Sequence, residues 1–141
     1  MGDTSKFQGK FRLEKSENFD AYMKALGVGL MTRKIGNVIK NHYDVTINGD
    51  QWSFKTLSTF KNTELKFQLG VEFDEDTIDG RKSTITFEDG KLVQRQKATK
   101  PDQKNSDLIR EMTSDDEMLV TLIAYEPDGS TVVAKRYYKR E

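Results

Sequence analysis

From Asp44 to the end of the chain, the sequence repeats a short alternating segment followed by a turn. Val45-Thr46-Ile47 leads into Asn48-Gly49-Asp50 and a second segment at 52–55, and Asn-Gly between such segments strongly favours a β-hairpin. The other alternating segments lie at 7–14, 65–69, 71–73, 83–87, 91–97, 107–113, 118–125 and 131–140. Together they predict about ten short strands at roughly the 8–12-residue spacing that is typical of an antiparallel sandwich or barrel.

The apolar content favours strands that bury one face. Hydrophobic residues make up 35% of the 141 residues, which suits one-sided strands better than strands buried on both sides. A closed barrel removes exposed sheet edges, and a barrel of this size can hold a small ligand. We therefore predict that residues 1–141 form one all-β domain, a ten-stranded antiparallel β-barrel.

Two short amphipathic helices are predicted between the first strand and this repeat. Ser16 is a candidate N-cap for the first helix. Its apolar residues follow the i, i+3, i+4, i+7 spacing of one helix face: Phe19, Tyr22, Met23 and Leu26. After Gly27 and Gly29, a second helix is predicted over 30–39, with one apolar side formed by Met31, Ile35, Val38 and Ile39. Helices this short must pack on something, so we expect them to cover the mouth of the barrel as a lid.

The last strand carries the residues that first suggest a function. In a strand over 131–140, Val132, Ala134, Arg136 and Tyr138 share one face, while lysines lie on the other face. The face without lysines is the better candidate for the interior, yet it includes an arginine. Because a buried guanidinium is costly unless something pairs with it, Arg136 and Tyr138 predict an inward anchor for an anion.

Composition excludes several classes of function. The 23 basic and 23 acidic side chains cancel, which removes the bulk charge that favours nucleic-acid binding. The chain has no cysteine and a single histidine, His42, so thiolate chemistry and a multi-histidine metal site are excluded. There is no glycine-flanked serine elbow, no signal-peptide core and no apolar segment as long as a membrane span. We expect a soluble intracellular protein without a cofactor.

Ordered motifs along nearly the whole chain resemble one known family. They are Gly9-Lys10-Phe11-Arg12-Leu13, Ser16-Glu17-Asn18-Phe19-Asp20-Ala21-Tyr22-Met23, Leu26-Gly27-Val28-Gly29, Thr32-Arg33-Lys34, Ser58-Thr59-Phe60-Lys61-Asn62-Thr63, Leu69-Gly70-Val71-Glu72-Phe73-Asp74-Glu75, Asp79-Gly80-Arg81, Arg110-Glu111-Met112 and Arg136-Tyr137-Tyr138. In this order they are similar to the intracellular lipid-binding proteins, which include fatty-acid-binding and cellular retinoic-acid-binding proteins.

The resemblance implies a fold, an activity and an anchor. The fold is a lipocalin-like (calycin) β-clam of ten strands with a helix-turn-helix lid and an internal cavity, and the family has no enzymatic activity. Two inward arginines and a tyrosine bind the ligand carboxylate in that family. The matching residues here are Arg110, Arg136 and Tyr138. A planar guanidinium suits a carboxylate because it can donate two parallel, charge-assisted hydrogen bonds.

The resemblance also implies which residues face the cavity and its portal. On the helices and the link that follows them, these residues are Phe19, Tyr22, Met23, Met31, Thr32, Gly36 and Ile39. In two turns that the family places at the portal, they are Phe60, Ile78, Asp79 and Arg81. For the helix residues, ordinary packing is the alternative interpretation of the same apolar face.

Three basic residues on the helices have two interpretations. Lys24, Arg33 and Lys34 fit an ordinary solvated helix face, which is the preferred interpretation. Family members can also use matching residues for nuclear import or for contact with an anionic membrane. The sequence leaves this choice open.

The predicted function is that of an intracellular carrier. We expect a monomer in the cytoplasm, with the nucleus as a further location, that binds a long-chain fatty acid or another hydrophobic carboxylate, touches membranes transiently and binds no nucleic acid. Retinoic acid is the alternative ligand, because 110–113 resembles retinoic-acid binders. The chain departs from the family pattern at four places. The segment 80–84 is shorter than in the family, the segments 98–107 and 124–132 are longer, and Asn41 stands where many members have proline. These departures bear on ligand choice and exchange.

Overall fold

The computed structural model describes residues 4–59, 62–74, 82–101 and 103–141. A 3₁₀ turn, Thr4–Phe7, precedes strand β1 (Gly9–Glu17) and the helices α1 (Phe19–Ala25) and α2 (Leu30–Val38). The strands that follow are β2 (His42–Asn48), β3 (Gln51–Leu57), β4 (Thr63–Phe67), β5 (Phe73–Asp74), β6 (Lys82–Glu88), β7 (Lys91–Lys97), β8 (Ser106–Met112), β9 (Glu117–Tyr125) and β10 (Thr131–Arg140). The two helices are called the lid below.

The ten strands within these residues form one antiparallel sheet. Their order is β4-β3-β2-β1-β10-β9-β8-β7-β6-β5, so each strand lies beside its neighbour in sequence except where β1 pairs with β10. β4 and β5, which follow one another along the chain, stand at the two ends of this order, and the sheet curves into a nearly closed barrel. The predicted ten-stranded antiparallel barrel with a helix-turn-helix lid is confirmed.

The interior is built by alternation along the strands. In β9, Met118, Val120, Leu122 and Ala124 are buried, and the residues between them are more exposed. In β10 the buried residues are Ala134, Arg136 and Tyr138, which is the face predicted to point inward. Each fully buried aliphatic or aromatic side chain contributes roughly 1.5–3 kcal/mol relative to an exposed one.

Aromatic side chains fill the end of the barrel opposite the lid. Phe7 precedes the start of β1, whereas the helices follow the end of β1. The Phe7 ring lies 6.5 Å from the Trp52 ring and 6.3 Å from the Phe87 ring, and Trp52 stacks on Phe67 at 5.8 Å. This end is therefore closed by packing, which leaves the lid end as the place for a ligand site.

Arg140 fastens the N-terminal turn to the end of β10. Its guanidinium donates from Nη1 to the Gln8 carbonyl at 2.7 Å and from Nη2 to the Lys6 carbonyl at 2.8 Å. Gly9 makes this approach possible, because a Cβ at that position would stand 2.4 Å from Arg140 Nη1. Gly9 also adopts φ +135°, a conformation that favours glycine.

Two local predictions need correction. Ser16 does not cap α1, because β1 continues to Glu17 and Ser16 pairs with Arg136 of β10. Asn18 makes the change from strand to helix in the left-handed conformation (φ 60°), with its side-chain amide donating to the Val133 carbonyl at 2.9 Å. Strand pairing has overridden the local capping preference of Ser16. The strand predicted at 71–73 is confined to Phe73–Asp74.

Neither helix of the described residues has the length and apolar character needed to cross a membrane. α1 has seven residues and α2 has nine.

Candidate functional site

A pocket of about 170 Å³ lies where the lid meets the barrel. Six residues predicted from the sequence line it: Phe19, Met23, Thr32, Gly36, Ile39 and Arg136. Four others also line it: Ile35 of α2, Asn41 of the link between α2 and β2, Thr56 of β3, and Ser58 just after β3. The pocket is thus walled by both helices on one side and by strand residues on the other.

Close approach of the two helices shapes the lid side of this pocket. Gly36 lies in α2, and a Cβ at this position would stand 2.9 Å from the Met23 sulfur atom. A larger residue would therefore push Met23 of α1 aside or force α2 outward. The absence of a side chain at Gly36 lets α2 lie directly over α1 and the pocket.

Two predicted lid residues do not line this pocket. Tyr22 is buried, and its hydroxyl is hydrogen-bonded to the Ser106 hydroxyl of β8 at 2.5 Å, which anchors α1 to the barrel wall. Met31 is 75% exposed and does not line this pocket, so its predicted place at the cavity or portal stays a prediction. The predicted portal residues Phe60, Ile78, Asp79 and Arg81 lie outside the described residues.

Arg136 is the charged residue at the pocket wall. Alternation along β10 turns its side chain inward, where it is 8% exposed. Its Nε donates to the Ser16 hydroxyl at 3.0 Å, and its guanidinium carbon lies 3.9 Å from the centre of the Phe19 ring. Phe19 belongs to α1, so this cation–π contact couples Arg136 to the lid.

Tyr138 lies two residues further along β10, behind the pocket. It is 1% exposed and stacks on Tyr43 with ring centres 4.1 Å apart. Its hydroxyl donates to Asn41 Oδ1 at 2.8 Å. Burial raises the pKa of Tyr138 well above its usual range, with Tyr43 adding to the rise and Arg136 acting against it. Tyr138 therefore keeps its proton at neutral pH and acts as a hydrogen-bond donor.

Arg110 of β8 is the second inward cation and lies deeper than Arg136. It is 4% exposed, its Nη1 donates to Gln94 Oε1 at 2.7 Å, and its guanidinium carbon lies 4.5 Å from the Phe54 ring centre. Gln94 is itself buried and donates from Nε2 to the Ser83 hydroxyl at 3.5 Å. Arg110 Nε is buried and has no hydrogen-bond partner in the part of the chain that the structure describes. Leaving such a group unsatisfied costs about 1–3 kcal/mol.

The two inward arginines share one electrostatic feature. Within residues 4–59, 62–74, 82–101 and 103–141, no carboxylate forms an ion pair with Arg110 or Arg136. Buried charges in proteins are normally paired, because removing an ion from water is expensive. The site is therefore chemically suited to accept an anion.

The predicted basic lid residues occupy two different settings. Lys24 and Lys34 are exposed. The Arg33 side chain is only 15% exposed, donating from Nε to Asp20 at 3.2 Å and from Nη1 to the Val28 carbonyl at 2.8 Å. Arg33 therefore fastens α2 to α1 and is less available to an outside partner than the two lysines.

Sequence reasoning missed the partners that orient the anchors. Ser16 and Asn41 are separated along the chain from Arg136 and Tyr138 by 120 and 97 positions. Gln94 was not singled out, although its place in the alternation of β7, opposite Leu108 of β8, could have indicated an inward polar side chain.

The geometry agrees with comparisons to known proteins. A model of the lipocalin / cytosolic fatty-acid binding protein family matches residues 8–141, and the chain belongs to this family. It is 44% identical over 137 residues to fatty acid-binding protein homolog 5 of Caenorhabditis elegans, with 96% of both chains covered.

Solved structures extend the comparison to the backbone. The fatty acid-binding protein from brain tissue of Drosophila melanogaster is 47% identical with a TM-score of 0.82, over 94% of this chain and 98% of that one. The Schistosoma mansoni fatty acid binding protein, solved in complex with arachidonic acid, is 38% identical with a TM-score of 0.87, over 99% of both chains.

Proposed function

We propose that residues 1–141 act as one lipid-binding domain that carries a long-chain fatty acid and catalyses no reaction on it. The observation that carries this proposal is that Arg110 and Arg136 are buried without a carboxylate partner among the described residues, and that Arg136 lines the pocket. The Caenorhabditis and Drosophila proteins are described as fatty-acid-binding proteins, and the Schistosoma protein was solved with a fatty acid, which supports the same ligand class.

Arg136 makes the first contact with the ligand carboxylate. It is the arginine that lines the pocket, whereas Arg110 lies deeper against Phe54, and Tyr138 lies behind Asn41. A carboxylate bound at Arg136 neutralises a buried charge, and Tyr138 and Arg110 then supply further donors. Charge-assisted hydrogen bonds of this kind are about twice as strong as neutral ones.

The acyl chain supplies the remaining affinity. Each CH₂ group removed from water contributes about 0.8 kcal/mol. The pocket of about 170 Å³ is smaller than the roughly 300–1,000 Å³ typical of sites for drug-sized ligands, so binding requires it to widen. α2 is the element that moves most easily, because none of its residues is buried.

The same proposal has the protein act in the cytoplasm, with the nucleus as a further location, as a monomer that contacts membranes transiently. Exposed Lys24 and Lys34 on the lid, together with the exposed Leu30, Met31 and Val38 of α2, support membrane contact. Arg33 contributes less, because its side chain is committed to Asp20 and Val28.

Calorimetric titration of delipidated protein with oleate tests this function. The wild type is expected to bind about one oleate with a Kd below about 1 μM, and Arg136→Gln to bind at least tenfold more weakly, a loss of about 1.4 kcal/mol. Arg95→Gln is the matched control, since Arg95 lies on the outer face and pairs with Glu88. Retinoic acid enters as a competitor, because it has the same headgroup. Equal affinity of wild type and Arg136→Gln for oleate would disprove the anchor. No oleate binding by the wild type would disprove the fatty-acid carrier and leave only another ligand, such as retinoic acid.

A further inference from the structure

Asn41 joins the pocket to the buried phenol behind it. Asn41 lines the pocket together with Arg136, and its Oδ1 accepts a hydrogen bond from the Tyr138 hydroxyl at 2.8 Å. Tyr138 itself is 1% exposed and is not part of the pocket wall. A headgroup that enters the pocket therefore meets Asn41 before it can reach Tyr138.

The Tyr138 hydroxyl can serve only one strong acceptor at a time. A phenol has one proton to donate, and here that proton is donated to Asn41. The ring is held by stacking on Tyr43 at an interplanar angle of 17°, so the hydroxyl cannot follow a ligand far from its present position. An ionised carboxylate brings only acceptors, so it can use Tyr138 only if the bond to Asn41 breaks.

Asn41 is held in place by its backbone as well. Its carbonyl accepts from the Leu13 amide of β1 at 3.0 Å, and the neighbouring Lys40 donates from Nζ to the Glu14 carbonyl at 2.9 Å. Leu13 and Glu14 lie at the irregularity in β1, where the register with β10 shifts between Leu13 and Lys15. The backbone that follows α2 is thus fixed against β1. Only side-chain movement can therefore change the hydrogen-bond acceptor of the Tyr138 hydroxyl.

We propose that Asn41 determines headgroup selectivity, because it competes with a ligand carboxylate for the proton of Tyr138 but accepts a hydrogen bond from a ligand hydroxyl. This inference rests on the proposed carrier function. A carboxylate that accepts from Tyr138 must displace Asn41. An alcohol can donate to the second lone pair of Asn41 Oδ1 while its own oxygen accepts from Arg136, so the Tyr138–Asn41 bond stays intact.

The test measures oleate and oleyl alcohol with the same protein variants, by displacement of 1-anilinonaphthalene-8-sulfonate. Asn41→Ala is expected to bind oleate about three- to tenfold more tightly than wild type, which corresponds to one neutral hydrogen bond no longer broken on binding. The same variant is expected to bind oleyl alcohol more weakly. Oleate affinity that is unchanged or reduced in Asn41→Ala would overturn the proposal.

Two further variants isolate the contested proton. In a Tyr138→Phe background, Asn41→Ala is expected to leave oleate affinity unchanged, because no proton remains to compete for. Asn41→Asp keeps an acceptor for Tyr138 and adds negative charge in the pocket wall that it shares with Arg136, so it is expected to weaken oleate binding. A gain for Asn41→Ala that persists without the Tyr138 hydroxyl would refute the competition.

Asn105→Ala is the matched control for loss of stability. Asn105 lies between β7 and β8, and its Oδ1 accepts from the Ala98 amide at 2.9 Å. Its loss removes an acceptor of the same type, and we expect oleate affinity to stay at the wild-type value. If Arg136→Gln weakens oleate binding and Asn41→Ala does not strengthen it, the selectivity role alone fails. If the wild type binds no oleate, the carrier function fails and the selectivity role fails with it.

Discussion

The arginines inside the barrel and the arginine on its outer face differ in their exposure and in their hydrogen-bond partners. Arg95 on β7 donates from Nη1 to Glu88 at 2.7 Å and from Nη2 to the other oxygen of the same carboxylate at 3.2 Å. Its side chain is 49% exposed. Arg110 and Arg136 are buried, and among the described residues they have only neutral hydrogen-bond partners, Gln94 and Ser16.

This difference separates a charge that a carboxylate compensates from charges that have only neutral partners. An exposed bidentate pair is compensated by its partner and by water, so it contributes modestly to stability. A buried cation with neutral partners keeps most of its desolvation penalty until an anion arrives. The interior arginines therefore lower the stability of the ligand-free protein, whereas Arg95 does not.

The largest expected effect comes from removing the deep interior charge together with its partner. Arg110→Met combined with Gln94→Leu replaces a buried polar pair by apolar side chains, and the one further bond lost is the long 3.5 Å contact from Gln94 to the Ser83 hydroxyl. We expect the free energy of unfolding of the ligand-free protein to rise by about 1–4 kcal/mol, as for other buried charges that were replaced by apolar residues. This free energy is measured by urea unfolding monitored by circular dichroism.

The matched control is Arg95→Met on the outer face. We expect no gain in stability there, because the substitution removes a compensated pair and buries nothing. The interior variant should also bind oleate more weakly than wild type. If the Arg110→Met, Gln94→Leu variant is less stable than wild type, the interior arginine does not carry an uncompensated desolvation penalty, and it does not differ in this way from Arg95.

A smaller effect is expected at the lid, where Asp20 of α1 accepts from two residues of α2. Arg33 Nε donates to Asp20 Oδ1 at 3.2 Å, and Asn37 Nδ2 donates to the same oxygen at 2.9 Å. α1 is also held by the Tyr22–Ser106 bond, whereas α2 has no buried residue. Asp20→Asn therefore weakens the attachment of α2 while α1 stays in place.

We expect Asp20→Asn to release a fluorescent fatty acid about two- to fivefold faster than wild type in stopped-flow measurements, since exposed ion pairs are weak. Equilibrium affinity should change less than the release rate, because the interior anchors are untouched. Glu72→Gln, which removes an exposed pair with Lys97 away from the lid, is the control. A release rate equal to that of wild type would show that α2 does not limit exchange.

The sequence predicted most of the fold because strand alternation is a local property. The spacing of turns and the inward face of β10 follow from neighbouring residues, and Arg136 and Tyr138 lie where that alternation places them. The partners of these residues depend on tertiary pairing. Ser16 meets Arg136 only because β1 pairs with β10.

The lid shows why hydrophobic periodicity did not identify the side of α2 that faces the pocket. Hydrophobicity placed Met31 and Val38 on the covered side of α2, but they are 75% and 76% exposed. The pocket-facing side is instead Thr32, Ile35 and Gly36, at the i, i+3, i+4 spacing of one face. Thr32 and Gly36 are small and weakly apolar, so hydrophobic periodicity gives no signal for them. Their role follows from the close packing of Gly36 on Met23.

The smallest expected effect is the pH dependence of the outer pair. Arg95 and Thr86 hydrogen-bond to the Glu88 carboxylate and lower its pKa from 4.5 to about 2. A lowered pKa in the folded protein means that the pair stabilises it above about pH 4.5, and that this contribution is lost as pH falls towards 2.

The stability difference between wild type and Glu88→Gln should therefore shrink across this window, measured by urea unfolding at a series of pH values. Arg95→Gln should give the same trend, since either substitution removes the same pair. If this difference in the free energy of unfolding stays constant from pH 5 to about pH 2, the Arg95–Glu88 pair is already screened by water. Arg95 then contributes even less to stability than the comparison with Arg110 and Arg136 assumes.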